Sequence, residues 1–478
     1  MSHADLSSFV RALEDRGWLK RVKTPVSQDL EISAIADRAV KKGGPALLFE
    51  NVPGQTTPVL INAVASLDRV RLAFGVDDLG ELTQKMEDLL AIAMKPPGPG
   101  LLNKLKILPK LYDIATIMPK TVDEGPCQEV VESDPSFLSI PVLKCWPEDG
   151  GRFITWPMVF TRDPESGARN CGIYRMQVYD ERTCGMHWHR HKDGARHFGK
   201  ADKLEVAVAL GSDPVTAMCA AMPLPPDADE MTLAGFLRGE AVRMAKCRTV
   251  NLEVPANAEI VLEGYVKKGE MRREGPFGDH TGFYSLADDY PVFHLTALTR
   301  RKRPTYLTTI VGIPPMEDDF MGEAIGRIFL PLVRMNLPEV VDLHMPWEGV
   351  FHNLVLVSIK KRYPGHARKV MHALWGMGQM MFAKVIVVLD AEVNVRDYHQ
   401  VALWALNHID PSRDFEHAKG PMDVLDHASI EVGYGGKVGI DATKKIKGEG
   451  FLREWPDPIL MDEGTKRRVD GLCRELGL

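Results

Sequence analysis

The run Ile154-Thr-Trp-Pro-Met-Val-Phe160, the turn Asp163-Pro-Glu-Ser-Gly167 and the run Asn170-Cys-Gly-Ile-Tyr-Arg-Met-Gln-Val-Tyr179 read as two strands joined in a hairpin. Apolar and aromatic side chains fill both runs, and Pro, Gly and Asp fill the turn between them. Further strand-like runs follow at 204–210, 260–266, 292–299 and 305–310. Helical insertions around 213–221 and 230–239 interrupt them. Such a succession of strands predicts a barrel or a curled antiparallel sheet in the middle of the chain.

Outside this region the texture changes. Asp5 can cap a helix whose residues Leu6, Phe9, Val10 and Leu13 share one face, and Gly17 sits where that helix would stop. A strand at 18–22, a helix at 31–42 and a strand at 46–50 follow, which predicts an N-terminal α/β domain over residues 1–120. The stretch Lys95-Pro-Pro-Gly-Pro-Gly100 is the clearest breaker. After the central domain, taken as 121–315, strands at 354–359 and 385–389 alternate with helices at 366–376 and 398–408. This predicts a C-terminal α/β domain over 316–478 with a largely parallel sheet. The fold class is therefore multidomain α/β around a central β-barrel-like unit.

Composition excludes several functions. The 478 residues are 45% hydrophobic and 26% charged, enough for several cores, and apolar runs such as Val385-Ile-Val-Val-Leu389 are strand-length. The net charge of −6, with Arg300-Arg-Lys-Arg303 the one notable basic tract, argues against nucleic acid as a partner. Seven scattered cysteines without a Cys-x-x-Cys pair argue against a disulfide framework or a thiolate zinc site. No export signal is visible, so the cytoplasm is the expected compartment.

Two motifs carry chemistry. Glu274-Gly-Pro-Phe-Gly-Asp279-His-Thr-Gly-Phe-Tyr-Ser285 sets two carboxylates five residues apart on a glycine-rich backbone, where burial and neighbouring charge can separate an acid from a base. Composition alone also allows a hairpin turn with solvated acids. The other motif is Arg169-Asn-Cys-Gly-Ile-Tyr-Arg175, continued by Met186-His-Trp-His-Arg-His-Lys-Asp-Gly-Ala-Arg-His197. Strand alternation would place Asn170, Gly172 and Tyr174 on one face and Arg175 on the other, unless a bulge re-aims it. His187, His189 and His191 would likewise share a face if extended, a pattern compatible with a hydrolytic metal site or with surface histidines. Arg175 needs an anionic partner, for which Glu274, Asp279, a phosphate or a substrate carboxylate are candidates.

Together the two motifs resemble the UbiD family of reversible, non-oxidative decarboxylases that use prenylated flavin mononucleotide. The resemblance extends to Pro45-Ala-Leu-Leu-Phe-Glu-Asn-Val52, to Val254–Gly264 and to Gly436-Lys-Val-Gly-Ile-Asp-Ala-Thr443. It implies an N-terminal α/β domain, a central split β-barrel carrying the flavin and a C-terminal α/β domain used in dimerisation. It also implies Asn170, His191 and Glu230 as ligands of a manganese ion bridging to the flavin phosphate, with His187, His189 and His197 as competitors for the histidine position and potassium as a further candidate ion. Ile173, Tyr174, Arg175, His187, Trp188, His189 and Lys192 fall where the family contacts flavin, and Lys437 is a candidate cofactor partner from the C-terminal domain. Arg175, Glu274 and Asp279 match the catalytic set. In that reading Arg175 aligns the substrate carboxylate and lowers the pKa of Glu274, while burial and Glu274 raise that of Asp279, the proton donor.

The resemblance further implies an aromatic carboxylic acid as substrate, carbon dioxide as product and a flavin prenyltransferase as cofactor supplier. Asp279, where some relatives acting on cinnamate-like acids have glutamate, places the chain nearer members acting on hydroxylated aromatic acids; within those, Cys127–Val131, Trp146–Gly151, Gly185–Trp188 and His191-Lys-Asp look most similar to the menaquinone-pathway branch thought to decarboxylate 1,4-dihydroxy-6-naphthoate. Ubiquinone-pathway relatives usually carry arginine where His187 stands. A polyprenyl-hydroxybenzoate, another hydroxybenzoate or a heteroaromatic acid remain alternatives, the first implying membrane association. A histidine-metal hydrolase and a flavin-binding protein without turnover are the readings outside this class. A homodimer or homohexamer is expected.

Overall fold

The computed structural model describes residues 3–94, 115–189, 192–225, 227–457 and 459–477. The breaker at 95–100 and His191 lie outside them. Asp5 caps the helix Leu6–Asp15, its side chain accepting from Ser8 N at 2.8 Å, and Leu6, Phe9, Val10 and Leu13 are buried as the spacing predicts. Strands Leu19–Val22, Ala46–Phe49 and Val59–Ile61 form the N-terminal sheet. A fourth strand, Tyr306–Leu307, comes from the far end of the central domain and pairs in parallel with Val59–Ile61. The first and second domains are thus stitched together by hydrogen bonds.

The central sheet has nine strands, every pairing antiparallel. Its spatial order is Arg152–Ile154, Met176–Val178, Thr183–Gly185, Asp288–Arg300, Ile260–Glu274, Lys203–Leu210, Pro157–Arg162 and Arg169–Ile173, with Val130–Val131 added beside Asp288–Arg300. Both faces are covered. Ala207 and Ala209 pack with the cluster containing Leu6 and Phe9, while Val206, Val208 and Leu210 pack with the cluster containing Phe49 and Phe293. That is why Lys203–Leu210 reads as a nearly continuous apolar run. Each large side chain buried this way stabilises the sheet by roughly 1.5–3 kcal/mol.

The predicted hairpin forms, with Met158 opposite Ile173 and Arg162 opposite Arg169. The two flanking runs, however, are not continuous strands. Arg152–Ile154 and Pro157–Arg162 belong to different regions of the sheet, and so do Arg169–Ile173 and Met176–Val178. The edge strands Arg152–Ile154 and Arg169–Ile173 do not pair with each other, so the sheet is a curled half-barrel with an open seam. The chain crosses that seam twice, at Thr155-Trp156 and at Tyr174-Arg175. A strand-to-strand crossing, rather than simple alternation, therefore aims Arg175.

Strand Ile260–Glu274 is longer than the apolar pattern suggests. Beyond Val266 it carries Lys267, Lys268, Glu270, Arg272 and Arg273 on a ribbon that leaves the core, paired again with 288–291 after a register shift. This ribbon ends at Glu274.

In the C-terminal domain, strands Leu354–Ile359, Val385–Asp390 and Tyr434–Asp441 are mutually parallel. The edge strands Val340–His344 and Phe415–Pro421 pair antiparallel, so the sheet is mixed rather than largely parallel. The helix Glu317–Asn336 joins this domain to the central one and lies along the N-terminal helix Gly80–Met94, tied by Thr83 Oγ1 to Arg327 O at 2.8 Å and Arg334 to Glu87 at 2.7 Å. All seven cysteines are free thiols. No helix among the described residues is long and apolar enough to cross a membrane.

Candidate active site

Beyond Glu274 the chain makes a nested hairpin. Phe277 pairs with Ser285 and Gly278 with Tyr284, leaving Asp279 at the mouth of the tip. Asp279 N donates to Phe283 O at 3.0 Å and Gly282 N to Asp279 O at 2.9 Å. Two side chains from the neighbouring crossing hold this loop. Asp149 accepts from Gly278 N and Trp146 N, each at 2.8 Å, and Gln177 accepts from Gly275 N at 2.7 Å while donating to Gly150 O at 2.8 Å. Gly278 cannot be larger, because a Cβ there would stand 2.2 Å from Trp146 Cδ1.

Arg175 reaches this loop from the seam. Its Nε donates to Glu274 Oε1 at 3.0 Å, Nη1 to Asp279 Oδ2 at 2.5 Å and Nη2 to Ser285 Oγ at 3.1 Å. The guanidinium lies 4.5 Å from the centre of the Phe277 ring, an additional cation–π contact. The side chains of Arg175, Glu274 and Asp279 are 11%, 0% and 9% exposed, so the three charges interact with little screening. His187 Nδ1 donates to Glu274 from the other side at 3.0 Å, its ring 4.2 Å from that of Tyr290.

The protonation pattern corrects one expectation. Burial pushes the Glu274 carboxyl up, but the His187 hydrogen bond and the charges of Arg175 and His187 outweigh it and hold it below the usual value. Burial also pushes Asp279 up, yet the hydrogen bonds from His280 and the charge of Arg175 win, and Asp279 sits far below its ordinary value rather than above it. The neighbour that accounts for this is His280. Its Nδ1 stands 3.0 Å from Asp279 Oδ1; burial disfavours its charge, but Asp279, Asp318 and Asp423 push the imidazole up to about 9. The proton rests on His280.

The second predicted group lies on the strand entering the seam. Glu230 opens the helix Glu230–Arg238, and its Oε2 accepts from Cys171 N at 2.9 Å, which places the carboxylate beside Asn170. Asn170 is 6% exposed, with Nδ2 3.4 Å from Tyr174 OH. Burial, with Asp229 and Asp193 adding, pushes Glu230 up to about 8. A buried carboxylate without a countercharge, next to a buried amide oxygen, suits a hard divalent cation. The third predicted ligand, His191, lies outside the described residues. Among the described residues no group of three or more His, Cys, Asp and Glu could hold a metal alone.

His187 and His189 do not lie on a strand, since Thr183–Gly185 ends before them, and His191 lies outside the described residues. His187 spends Nδ1 on Glu274, and among the described residues no histidine cluster is placed to hold a metal. His189 is half-buried, and His197 packs against Thr161 Oγ1 at 2.9 Å. Tyr174 and Trp188 are each 6% exposed; the Trp188 N–H has no partner among the described residues and is available to a bound group. Gly172 is required beside them, because its Cβ would come 2.5 Å from the Tyr174 ring. Ile173 is half-buried next to them and Lys192 is exposed. Lys437 spends its ammonium on Met381 O and Ala383 O, at 2.6 and 3.0 Å.

His280 and Ser285 stood inside the quoted motif without a role, and adjacency to Asp279 was the available signal for the first. Asp149 and Gln177 lay within stretches already singled out but carried no sign of this role, since the fold alone brings them here.

Three family models match the chain: the N-terminal domain of 3-octaprenyl-4-hydroxybenzoate carboxy-lyase at residues 10–89, its Rift-related domain at 120–314 and its C-terminal domain at 319–442. An uncharacterised protein of Archaeoglobus fulgidus is 50% identical over 482 aligned positions, covering all of this chain and 99% of its own. Among solved structures, the closed form of Sedimentibacter hydroxybenzoicus vanillic acid decarboxylase is 27% identical, with a TM-score of 0.87 over 100% of this chain and 99% of that one. Its open form gives 0.80 at 26% identity over the same shares. An evolved dimeric form of the UbiD-class enzyme HmfF from Pelotomaculum thermopropionicum, in complex with prFMN, is 28% identical over 97% of this chain and 98% of that one, with a TM-score of 0.77. Domain by domain and over its whole length, this chain belongs to the UbiD family of carboxy-lyases.

Proposed function

We propose that the chain decarboxylates a hydroxylated aromatic carboxylic acid with prenylated flavin mononucleotide, 1,4-dihydroxy-6-naphthoate being the first substrate to test. The observation that carries this reading is the forked guanidinium of Arg175 between two buried carboxylates at the seam of the half-barrel. The relative complexed with prFMN and the vanillic acid decarboxylase support the cofactor and the substrate class. Asn170 and Glu230, with His191, would hold a divalent cation, manganese first, and the cation would accept the flavin phosphate; Trp188 offers a further donor. Potassium has no separate support in the donor set described above. When bound, the flavin supplies the electron sink that loss of carbon dioxide from an sp² carbon demands.

The chain's own residues then have distinct tasks. Glu274, held ionised by Arg175 and His187, keeps the guanidinium in place through Nε and leaves the Nη edge to face a substrate carboxylate. Asp279 occupies part of that edge in this arrangement. A substrate carboxylate taking Nη1 displaces Asp279 from its strongest countercharge, which raises its affinity for a proton next to the carbon that loses carbon dioxide. Phe277, stacked on the guanidinium and 4.7 Å from the Phe153 ring, keeps bulk water from the ion triad.

We assign a flavin prenyltransferase as cofactor supplier and a homodimer or homohexamer as the assembly. The helix Glu463–Leu476 buries no residue within its own chain while exposing Val469, Leu472 and Leu476, which supports self-association. Light scattering that gives a monomer at working concentration would refute the assembly. For the activity, protein co-produced with a flavin prenyltransferase is to be examined by absorption and by mass of the released ligand. Carbon dioxide release is then screened on dihydroxynaphthoate, hydroxybenzoates, a polyprenylated hydroxybenzoate and heteroaromatic acids. Prenylated flavin with release from one of these acids is expected; an empty protein under loading conditions, or a loaded one inert on all, sinks the reading.

A further inference from the structure

The tip of the catalytic loop touches the C-terminal domain. Thr281 Oγ1 lies 3.1 Å from His427 Nε2, the rings of Phe283 and His427 are 5.3 Å apart, and His280 meets Phe351 and His352. The last contact has a defined chemistry. His280 Nε2 stands 3.5 Å from His352 Nε2, and His352 Nδ1 stands 3.2 Å from Asn353 Oδ1. An amide oxygen only accepts, so His352 carries its hydrogen on Nδ1 and presents a bare Nε2. His280 Nε2 must then donate. On its other side Asp279, whose Oδ2 is on Arg175, also accepts, so His280 Nδ1 donates too. Satisfying both neighbours requires an imidazolium.

We propose that His280 carries the proton that Asp279 hands to the substrate, and that His352 of the C-terminal domain is a positioning residue that holds the proton there. This rests on the reaction proposed above and adds the source of its proton. When a substrate carboxylate takes Nη1 of Arg175, the proton moves from His280 Nδ1 to Asp279 Oδ1 along an existing 3.0 Å bond. Asp279 then protonates the ring carbon as its bond to the carboxyl carbon breaks. One proton is consumed per carbon dioxide released, and His280, with 21% of its side chain exposed, recovers it from solvent. Charged groups facing His280 are Asp279 on its own loop, Asp318 and Asp319 at the start of the helix Glu317–Asn336, and Asp423 from the C-terminal domain, with Arg175 behind Asp279. The acids favour the imidazolium, and burial opposes it. The greater likeness to the closed than to the open relative fits a proton site completed across two domains.

The test pairs a readout free of turnover with one that needs it. Flavin-loaded full-length protein labelled with nitrogen-15 in histidine is titrated by NMR, the His280 signals being assigned by their loss in His280→Gln. A midpoint more than one pH unit above the ordinary 6.5 is expected, falling by at least one unit in Asp279→Asn and measurably in His352→Phe. In the carbon dioxide assay His280→Asn should lose on the order of 10²-fold or more in kcat with KM little changed. His352→Phe should move the alkaline limb of kcat to lower pH. A His280 midpoint at or below 6.5, or one unmoved by the His352 change, overturns the proposal, as does His280→Asn with the wild-type rate and pH profile. Wild-type protein inert on every acid, with His280 still titrating high, sinks the reaction instead and leaves the proton on His280.

Discussion

Glu274 and Glu230 are both buried carboxylates at the half-barrel, yet they are solved in opposite ways. Glu274 is fully buried in a ring of countercharge that the chain supplies itself, from Arg175 on one side and His187 on the other. Glu230 has only backbone donors, Cys171 N and its own N–H, and burial leaves it reluctant to ionise. A buried charge costs several kcal/mol unless paired. The first site is therefore organised before any ligand arrives, and the second, on the proposed function, would be completed by a cation. On that proposal the difference separates a chemical centre, which must already be in place when substrate enters, from a cofactor anchor, whose charge would be completed by what it anchors.

The sharpest way to break this contrast is to remove the chain's own countercharge. Arg175→Ala leaves two carboxylates in a buried pocket, and breaking such a pair by removing one partner costs about 3–5 kcal/mol. Urea denaturation should show that loss, and carbon dioxide release should vanish; an unchanged midpoint would mean water already solvates the triad. Next comes Glu274→Gln, which keeps the shape and removes one charge. We expect correctly folded, cofactor-loaded protein to lose on the order of 10²-fold or more in kcat, since Arg175 loses its anchor and the polarity of the Nη edge changes. Turnover at the wild-type rate would refute the role given to the triad.

How much of this was legible beforehand follows the same division. The strand-rich centre, the hairpin at 163–167 and the acid pair in the loop after Glu274 were visible because turn chemistry and apolar runs are local. The seam was not. Tyr174-Arg175 looks like the middle of a strand, and only the pairing of Met176–Val178 with Arg152–Ile154 shows that the chain is crossing between sheet edges there. Nor was the ionisation of Asp279 legible, because it is decided by a guanidinium from 104 residues earlier in the chain and by the imidazole next to it. The mixed C-terminal sheet escaped for a related reason: alternating helices and strands announce parallel pairs, whereas the direction of an edge strand such as Phe415–Pro421 depends on its connection.

The proposed cation anchor gives the third test. Adding Mn²⁺ at a hundredfold its dissociation constant should stabilise the folded protein by about 2.7 kcal/mol, a gain absent in Glu230→Gln and reversed by chelation. Thermal unfolding with and without metal reads it. Equal stabilisation in the variant would place the cation elsewhere and leave Glu230 as a merely buried acid.

Per pH unit, the smallest effects are in the pH dependence, where the two glutamates should differ in sign. For Glu274 the folded value lies below the unfolded one, so its contribution to stability is present above the unfolded value near 4.5 and is lost as pH falls through the folded one. For Glu230 the folded value, about 8, lies above the unfolded 4.5. The metal-free folded protein holds a proton there that the unfolded chain releases, so stability falls as pH rises from 4.5 to 8, by at most about 1.4 kcal/mol per pH unit. Glu230→Gln should flatten that decline and leave the acid limb intact; Glu274→Gln should do the reverse. Saturating Mn²⁺ should abolish the decline, because a bound cation keeps the folded carboxylate ionised where the unfolded one is ionised too. Parallel slopes in the two variants would show that both carboxylates are solvated alike, and the distinction between a self-supplied and a borrowed countercharge would not hold.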